Sequence, residues 1–380
     1  MHVDMATYKA EFLSHYYAGR VRPRHAYAFG WIHYWARLAS VAPMVANFVT
    51  RTPIVRDVFK WLGGVAPARR VPAFAPQSFK RWFARRGVVN ATGEPVVLWP
   101  DTFNNYFKPE TARAATEVLE DAGFRVIVPR QDMCCGRPLY DYGFLGMAER
   151  WLKQILETMS AEIEAGVPVV VLEPSCGAVF RDELMNLLPN DMNARRLAKQ
   201  TYLLSEFLTQ HAPDYRWPPV KAKAVVQGHC HHRAIMGMSA EEDALRRMSL
   251  DYRLLDSGCC GMAGAFGYER GDHYDVSLAC GERVLLPEVR RAPEETLVIA
   301  DGFSCREQIS QETPREALHL AEVLRMGMAE ELRTEGRPEA RLVRTRRKEF
   351  RRAAVRTAAI VGIGAVVAGA VYRRWRRSRT

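Results

Sequence analysis

The sequence predicts an α/β fold of two pseudo-repeated parallel-sheet lobes, preceded by an N-terminal helical segment and followed by a C-terminal hydrophobic helix. From residue 94 onward, short apolar strands alternate with helices, which is typical of parallel sheets covered by helices. A Cys-Cys-Gly turn occurs twice, at residues 134–136 and 259–261. Each turn is followed by a strand that ends near a single cysteine, Cys176 or Cys305. These spacings predict an internal repeat of about 130 residues.

Length and charge narrow the class of protein. A chain of 380 residues suggests two or three domains, and 48% apolar residues suffice for ordinary cores. The net charge of +11 belongs to residues 341–380, which carry a net +12. We therefore expect no nucleic-acid partner. The first residues show neither the basic start nor the apolar run of a signal peptide.

The eight cysteines all lie after residue 133. A secreted disulfide scaffold would be smaller, so clustered thiols in this chain indicate zinc or iron–sulfur ligation. The simpler alternative is two pairs of buried thiols that pack as small apolar groups. Packing does not require flanking glycines, whereas a thiolate pair on a metal benefits from the positive φ that glycine supplies. The glycines therefore favour ligation.

The first 50 residues are predicted to be helical. An amphipathic helix begins at Ala6. Residues 29–49 are apolar and about long enough to cross a bilayer, but His33 and Arg37 interrupt the run and Pro43 breaks it. We therefore expect a buried or partner-facing helix there rather than a membrane span.

Six strands and their helices follow in two similar halves. Strands are predicted at 95–99, 124–128, 167–172, 222–226, 252–255 and 296–300. Helices are predicted at 109–122, 146–165, 240–249, 277–285 and 314–326. The predicted domains are a helical segment at 1–90, a first lobe at 91–215, a second lobe at 216–330, and a basic linker with a candidate transmembrane tail at 331–380.

Seven of the eight cysteines fall at the carboxyl ends of strands, where parallel sheets bind ligands. In the second lobe, four thiolates from three strand ends are predicted to share one centre: Cys230, Cys259, Cys260 and Cys305. Four thiolates suit an iron–sulfur cluster or tetrahedral zinc. Three histidines either ligate that centre or, as we expect, hydrogen-bond beside it: His229, His231 and His232. Cys280 falls within a helix and is expected to be a core residue.

The first lobe offers three candidate metal-ligating thiolates, Cys134, Cys135 and Cys176. Asp101 or Thr102 stands where Cys230 stands in the second lobe. Two interpretations stay open. Either three thiolates and an oxygen ligand hold a cluster or zinc, or this half has lost its metal and serves as scaffold.

The two Cys-Cys-Gly turns resemble the cysteine-rich domain found in heterodisulfide reductase and in the iron–sulfur subunits of glycolate oxidase, lactate-utilisation and anaerobic glycerol-3-phosphate dehydrogenases. The chain also resembles the C-terminal part of fused FAD-linked oxidases related to D-lactate dehydrogenase. The resemblance is carried by residues 98–105, 134–141, 173–176, 259–267 and 300–309. It implies a cluster of the 4Fe-4S type in the second lobe.

The sequence departs from the family pattern at three places. Glu173 and Gly302 stand where the first cysteine of each terminal pair would be, and the first cysteine near Thr102 is missing. These departures favour a four-thiolate centre over a five-thiolate noncubane cluster. The first nine residues resemble the segment after the last Cys-Pro of a ferredoxin module. The resemblance implies that this module and the flavin domain are supplied by another chain, or that the gene is split or truncated. No Gly-rich dinucleotide fingerprint is present.

The tail contains an uncharged run at residues 357–372 that is close to the minimum length for a membrane span. Arginines flank it on both sides, and Gly364 and Ala368 offer a helix-packing face. We expect this helix to contact membrane lipid and to anchor the chain on the cytoplasmic side of a membrane. The alternative is a basic helix that lies on anionic lipid.

The residues and the resemblance together predict an iron–sulfur electron-transfer module of a flavin-dependent dehydrogenase. Its substrate would be a 2-hydroxyacid of the lactate or glycolate kind, or glycerol 3-phosphate. FAD would be on a flavoprotein partner, and electrons would pass through a ferredoxin-type module to the second-lobe centre. One alternative is a zinc-stabilised domain that docks a flavoprotein, and another is a heterodisulfide reductase-like enzyme.

Overall fold

A computed structural model describes residues 5–329 and 336–377, with side chains up to residue 359. Within these residues the fold is α/β, as predicted, and the paired strands are parallel. The first sheet has the order β2-β1-β3-β4, with β1 (Pro95–Leu98), β2 (Arg125–Ile127), β3 (Val169–Val171) and β4 (Thr201–Leu203). The second has the order β6-β5-β7, with β5 (Lys223–Gln227), β6 (Asp251–Leu254) and β7 (Leu297–Ala300).

All six predicted strands are present, within two residues at either end. In each sheet the first strand of the half lies between the next two, so that Val97 pairs with Val169 and Val225 pairs with Val298. Parallel pairing brings the carboxyl ends of these strands to one edge of each sheet. Strand β4 was not predicted, because its three residues directly follow a helix with no glycine or proline between them.

The N-terminal region is a set of short helices. The run at 29–49 is divided among several of them, and prolines stand in the first turns of α4 and α5, where a missing N–H is tolerated. The helices are α1 (Met5–Tyr16), α2 (Arg24–Gly30), α3 (Ile32–Ala39), α4 (Pro43–Arg51), α5 (Pro53–Gly63) and α6 (Phe79–Phe83).

Helices also connect the strands and cover the sheets. Those of the first half are α7 (Thr102–Tyr106), α8 (Pro109–Asp121), α9 (Arg137–Asp141), α10 (Leu145–Thr158), α11 (Ser160–Glu164), α12 (Pro174–Ala178), α13 (Leu184–Leu187), α14 (Met192–Lys199) and α15 (Leu204–His211). Those of the second half are α16 (Ser239–Arg247), α17 (His273–Glu282), α18 (Leu285–Arg291), α19 (Phe303–Glu312) and α20 (Leu320–Met328). Helix α21 (Ala340–Arg377) follows.

The helix predicted at 314–326 begins only at Leu320, which corrects the prediction. Leu318 forms a parallel bridge with Ile299, and its N–H donates to the Val298 carbonyl at 2.8 Å. His319 then caps α20 by accepting a hydrogen bond from the Ala321 N–H at 3.0 Å. The preceding residues are extended because β7 offers its free edge as a partner.

Both sheets contribute to one hydrophobic core. Val96 of β1 and Val226 of β5 belong to the same buried cluster, and α20 packs against α8. The Thr111 hydroxyl of α8 donates to the Glu322 carboxylate of α20 at 3.1 Å. The shared core holds the two sheet edges in a fixed relation, while the predicted lobe and domain boundaries remain predictions.

Helix α21 begins as a basic helix beside this core. Arg346 pairs with Glu110 and with Glu316, each at 2.7 Å, and the two carboxylates offset the cost of removing its charge from water. In the part of the chain that the structure describes, no helix has the length and apolar character that crossing a bilayer requires. The membrane tail predicted at 357–372 lies almost wholly beyond residue 359, outside the described side chains.

Candidate metal centre

The structure brings together the four cysteines predicted to converge in the second half. Cys230 follows β5, Cys259 and Cys260 follow β6, and Cys305 lies in the first turn of α19 after β7. Each of these thiols influences the ionisation of the next in the order Cys230, Cys259, Cys260 and Cys305, which indicates that they are neighbours. Three strand ends therefore deliver four sulfurs to one place.

The environment shifts the pKa values of three of these thiols in different directions. Hydrogen bonds from the Cys230 and Cys260 thiols hold the pKa of Cys259 far below its usual range. The same bond to Cys259, together with burial, raises the pKa of Cys230. Bonds to Cys259 and Cys305, and burial, raise the pKa of Cys260. The Cys259 sulfur also accepts the Gly261 N–H at 3.3 Å.

Glycines shape the turn that carries this pair. Gly258 and Gly261 have φ of +65° and +92°, a region that side chains with a Cβ rarely adopt. At Gly261 the space is also closed, because a Cβ would lie 2.0 Å from the Ser277 carbonyl oxygen. The first turn is built in the same way, since Gly136 has φ of +85°. The prediction that these glycines serve backbone conformation is confirmed.

Two of the three predicted histidines, His229 and His231, lie beside Cys230 in space. The ligand atoms of His229, Cys230 and His231 lie within 4.8 Å of one another. Among the residues that the structure describes, these three are therefore close enough together to hold a metal ion. The His229 ring is buried, which lowers its pKa to about 4, and its Nδ1 accepts the His231 N–H at 3.2 Å. A neutral ring is therefore the stable form of His229 near neutral pH.

The His229 ring also explains one departure from the family pattern. A Cβ at Gly302 would lie 2.2 Å from the ring carbon Cδ2. A side chain at position 302 would have to displace the ring, so this packing has no space for a cysteine there. His229 occupies the place that the missing thiol would need.

Sequence reasoning missed Arg69, which secures the second turn from a distance of about 190 residues along the chain. Its guanidinium is fully buried and donates to the Gly267 carbonyl at 2.7 Å, to the Ser277 hydroxyl at 3.0 Å and to Glu312 at 3.0 Å. Arg69 thereby joins the loop after Cys260 to helices α17 and α19. An arginine pair in an irregular segment rich in alanine and proline carries no sequence signal for such a role.

Replacing Arg69 with methionine should lower the free energy of unfolding by about 3–5 kcal/mol, because three acceptors would lose a buried partner. Chemical denaturation followed by circular dichroism measures this. Arg70 is the matched control, since it is exposed and donates to the Ser310 carbonyl at the surface. Arg70→Met should change stability by no more than about 0.5–1 kcal/mol, and equal losses in both variants would contradict the prediction.

The three thiols of the first half also meet. The sulfurs of Cys135 and Cys176 are 3.0 Å apart, and Cys135 and Thr102 both influence the ionisation of Cys134. All three cysteines are buried. The bond to Cys135, with burial, raises the pKa of Cys134. Thr102 therefore lies beside Cys134, whereas the Asp101 carboxylate acts electrostatically on Cys176, so both oxygen donors predicted from the sequence border this group.

Asp101 and Glu173 are occupied by backbone donors. Asp101 caps α7 by accepting the N–H groups of Phe103 and Asn104, each at 2.9 Å, and burial raises its pKa to about 6. Glu173 accepts the Phe303 N–H at 2.7 Å, so it joins the first half to α19 of the second. The Phe103 ring of the first half stacks on the Phe303 ring of the second, with the ring centroids 4.5 Å apart. Glu173 thus ties the two halves together at the position where the family pattern has a cysteine.

The two thiol groups lie on the same side of the molecule. Arg137 follows the first Cys-Cys-Gly turn, pairs with Glu183 and, at 3.1 Å, with Asp141, and acts electrostatically on His229 beside the second group. Asp141 in turn borders Gly264 of the second turn, where a Cβ would lie 2.9 Å from its Oδ2. The loops that carry the two groups therefore touch.

Comparison with known proteins agrees with this arrangement. Residues 101–181, which contain Cys134, Cys135 and Cys176, match the family model described as CCG, a cysteine-rich domain. This part of the chain is a CCG cysteine-rich domain. The matched range covers the thiols of the first half, and the role of the second-half thiols stays a prediction.

The homologues of the chain include three groups of proteins. The anaerobic glycerol-3-phosphate dehydrogenase of Escherichia coli has a subunit that is 26% identical over 296 residues, which cover 76% of this chain and 73% of that subunit. D-2-hydroxyglutarate dehydrogenase of Pseudomonas putida is 24% identical over a stretch that covers 85% of this chain but only 32% of the dehydrogenase. Lactate utilization protein A of Bacillus velezensis is 29% identical over 60% of this chain and 98% of its own.

Proposed function

We propose that the chain is an iron–sulfur electron-transfer module of a flavin-dependent dehydrogenase that acts on a 2-hydroxyacid or on glycerol 3-phosphate. The names of its homologues support this class of substrate. The observation that carries the proposal is the contact series of four thiols from three strand ends, Cys230, Cys259, Cys260 and Cys305.

The donor set fits an iron–sulfur cluster. Cysteine thiolates are the usual ligands of such clusters, and four of them complete a 4Fe-4S centre. A bound cluster would accept and release single electrons at a potential set by its surroundings. Gly261 would stabilise the Cys259 thiolate through its N–H, and the burial of Cys260 and Cys305 would keep water from that side of the centre.

The first half is a second candidate site. Cys134, Cys135 and Cys176 would supply three thiolates, and the Thr102 hydroxyl beside Cys134 would supply an oxygen ligand. Asp141, at the end of α9, lies beside Gly264 of the second turn, which supports a location of the two thiol groups on neighbouring segments. If this half holds no metal, its buried thiols serve as scaffold for the shared core.

The proposed partners are a flavoprotein, which would bind FAD and oxidise the substrate, and a ferredoxin-type module. The homologous D-2-hydroxyglutarate dehydrogenase is about three times as long as the stretch it shares with this chain. The tail after residue 357 is proposed to contact membrane lipid from the cytoplasmic side. The boundaries at 90, 215 and 330 are proposed as those of the structural units.

Metal and sulfide analysis of the full chain, purified without oxygen, tests the proposal. We expect about four iron and four sulfide ions per chain if one centre is filled, and about twice that if both are. A zinc-stabilised docking domain is the rival function, and the compact His229, Cys230 and His231 group favours it, since histidine and cysteine suit zinc. Stoichiometric zinc without sulfide would support the rival and contradict the electron-transfer role.

A further inference from the structure

The N-terminal helices expose an unusual amount of apolar surface. Of the 23 exposed large hydrophobic side chains among the residues that the structure describes, 18 lie between residues 5 and 62. The other five are scattered over the rest of the described chain. Single exposed apolar side chains are normal, but a concentrated patch of this kind marks an interaction surface.

Polar anchors keep this surface turned outward. On α4 the buried residues are Asn47 and Thr50, whereas Phe48 is 67% exposed. The Asn47 side chain exchanges two hydrogen bonds with the Phe74 backbone, at 2.7 and 2.9 Å. On α5 the Lys60 ammonium is buried and donates to the Pro67 carbonyl at 2.8 Å. Rotating either helix to hide its apolar face would break these bonds.

The charge around the surface is positive. Residues 5–62 carry eight lysines or arginines and two acids, whereas residues 63–340 carry six more acids than bases. A groove of about 440 Å³ between α4, α6, α8 and α21 adjoins the apolar face. Its described lining contains one acid, Glu349, and five arginines: Arg81, Arg85, Arg113, Arg352 and Arg356.

We propose that helices α3, α4 and α5, together with this groove, bind the surface of an anionic lipid bilayer. Exposed aromatic and aliphatic side chains beside arginines are the composition of helices that lie in the headgroup region, with Trp35 and Trp61 at the level of the interface. The arginines of the groove would hold lipid phosphates. The acidic remainder of the chain would face away from the membrane. This surface includes the first part of α21 but acts independently of the metal centre and of the uncharged run that follows residue 357.

Vesicle flotation of the full chain tests the proposal, with phosphatidylcholine alone and with phosphatidylcholine and phosphatidylglycerol mixed at roughly 2:1. The test variant combines Leu38→Glu, Phe48→Glu and Ile54→Glu, whose side chains are 67%, 67% and 81% exposed, so folding should be kept. We expect binding to the mixed vesicles to fall at least about tenfold. The matched control, Val88→Glu with Met192→Glu, changes exposed apolar residues elsewhere and should bind like the wild type.

Two further variants complete the test. Arg85→Ala with Arg352→Ala should abolish the preference for the mixed over the neutral vesicles. Ile363→Asp with Val367→Asp, in the full-length tail, should retain the binding that depends on the helices. The proposal is overturned if the wild type ignores mixed vesicles, if the helix variant binds them unchanged, or if the tail variant alone removes binding. It is also overturned if the helix variant keeps vesicle binding but loses a flavoprotein partner, because the surface would then be a protein interface.

Discussion

Replacing Cys259 with serine should remove at least about nine-tenths of the iron and sulfide bound by the second-half centre. Cys259 lies in the middle of the thiol series, where its neighbours Cys230 and Cys260 lower its pKa and its sulfur accepts the Gly261 N–H at 3.3 Å. A serine hydroxyl is a harder and less acidic ligand, so it cannot supply the stabilised thiolate. Iron per chain and the electron paramagnetic resonance signal of the reduced protein measure the loss.

Cys280 provides the matched control for this substitution. It lies on α17, close to the Cys-Cys-Gly turn but on a different element from the four converging thiols. Cys280→Ser should therefore retain the iron content and the signal of the wild type. The thiol-series interpretation fails if Cys259→Ser keeps full iron, or if Cys280→Ser loses as much as Cys259→Ser does.

The convergence of the cysteines was predictable because parallel strands place their carboxyl ends at one edge. Apolar runs and glycines located β1, β5 and β7 in the sequence, and each run is followed directly by residues of the centre or its borders. Hence separations of 29 and 45 residues between the thiols of the second half did not obscure their meeting point. The pattern needed only local information and one topological rule.

Contacts that depend on packing were not predictable in this way. Arg69 and Asn47 are polar residues in irregular or helical stretches, and only the folded chain reveals that both are buried and bonded. Leu318 looked like part of a helix, yet the free edge of β7 captures it. Tertiary hydrogen bonds overrode local propensity at each of these positions.

The departures from the family pattern also became intelligible only in three dimensions. From the sequence, Glu173 and Gly302 were absences of cysteine that reduced the count of available thiolates. In the fold, Glu173 accepts the Phe303 N–H, and Gly302 makes room for the His229 ring. One position joins the halves, and the other admits an imidazole beside Cys230.

Substituting Gly261 with alanine should lower the free energy of unfolding by about 3 kcal/mol or more, because two costs add. The residue has φ of +92°, and its Cβ would lie 2.0 Å from the Ser277 carbonyl oxygen, a backbone atom that cannot move aside without shifting α17. Chemical denaturation of the metal-free chain measures the loss. Reconstitution with iron and sulfide should then fail as well, because the turn would no longer place Cys259 beside Cys260.

Gly258 separates these two costs. It has φ of +65° in the same turn, but no described heavy atom outside its own neighbours lies within 4 Å of a Cβ built there. Gly258→Ala should therefore carry only the cost of a left-handed alanine, about 1 kcal/mol, and the variant should still assemble the centre. If both alanines cost the same, the close approach to Ser277 is not what makes Gly261 necessary. If only Gly261→Ala prevents assembly, the second glycine of the turn is required because the α17 backbone leaves it no room for a side chain.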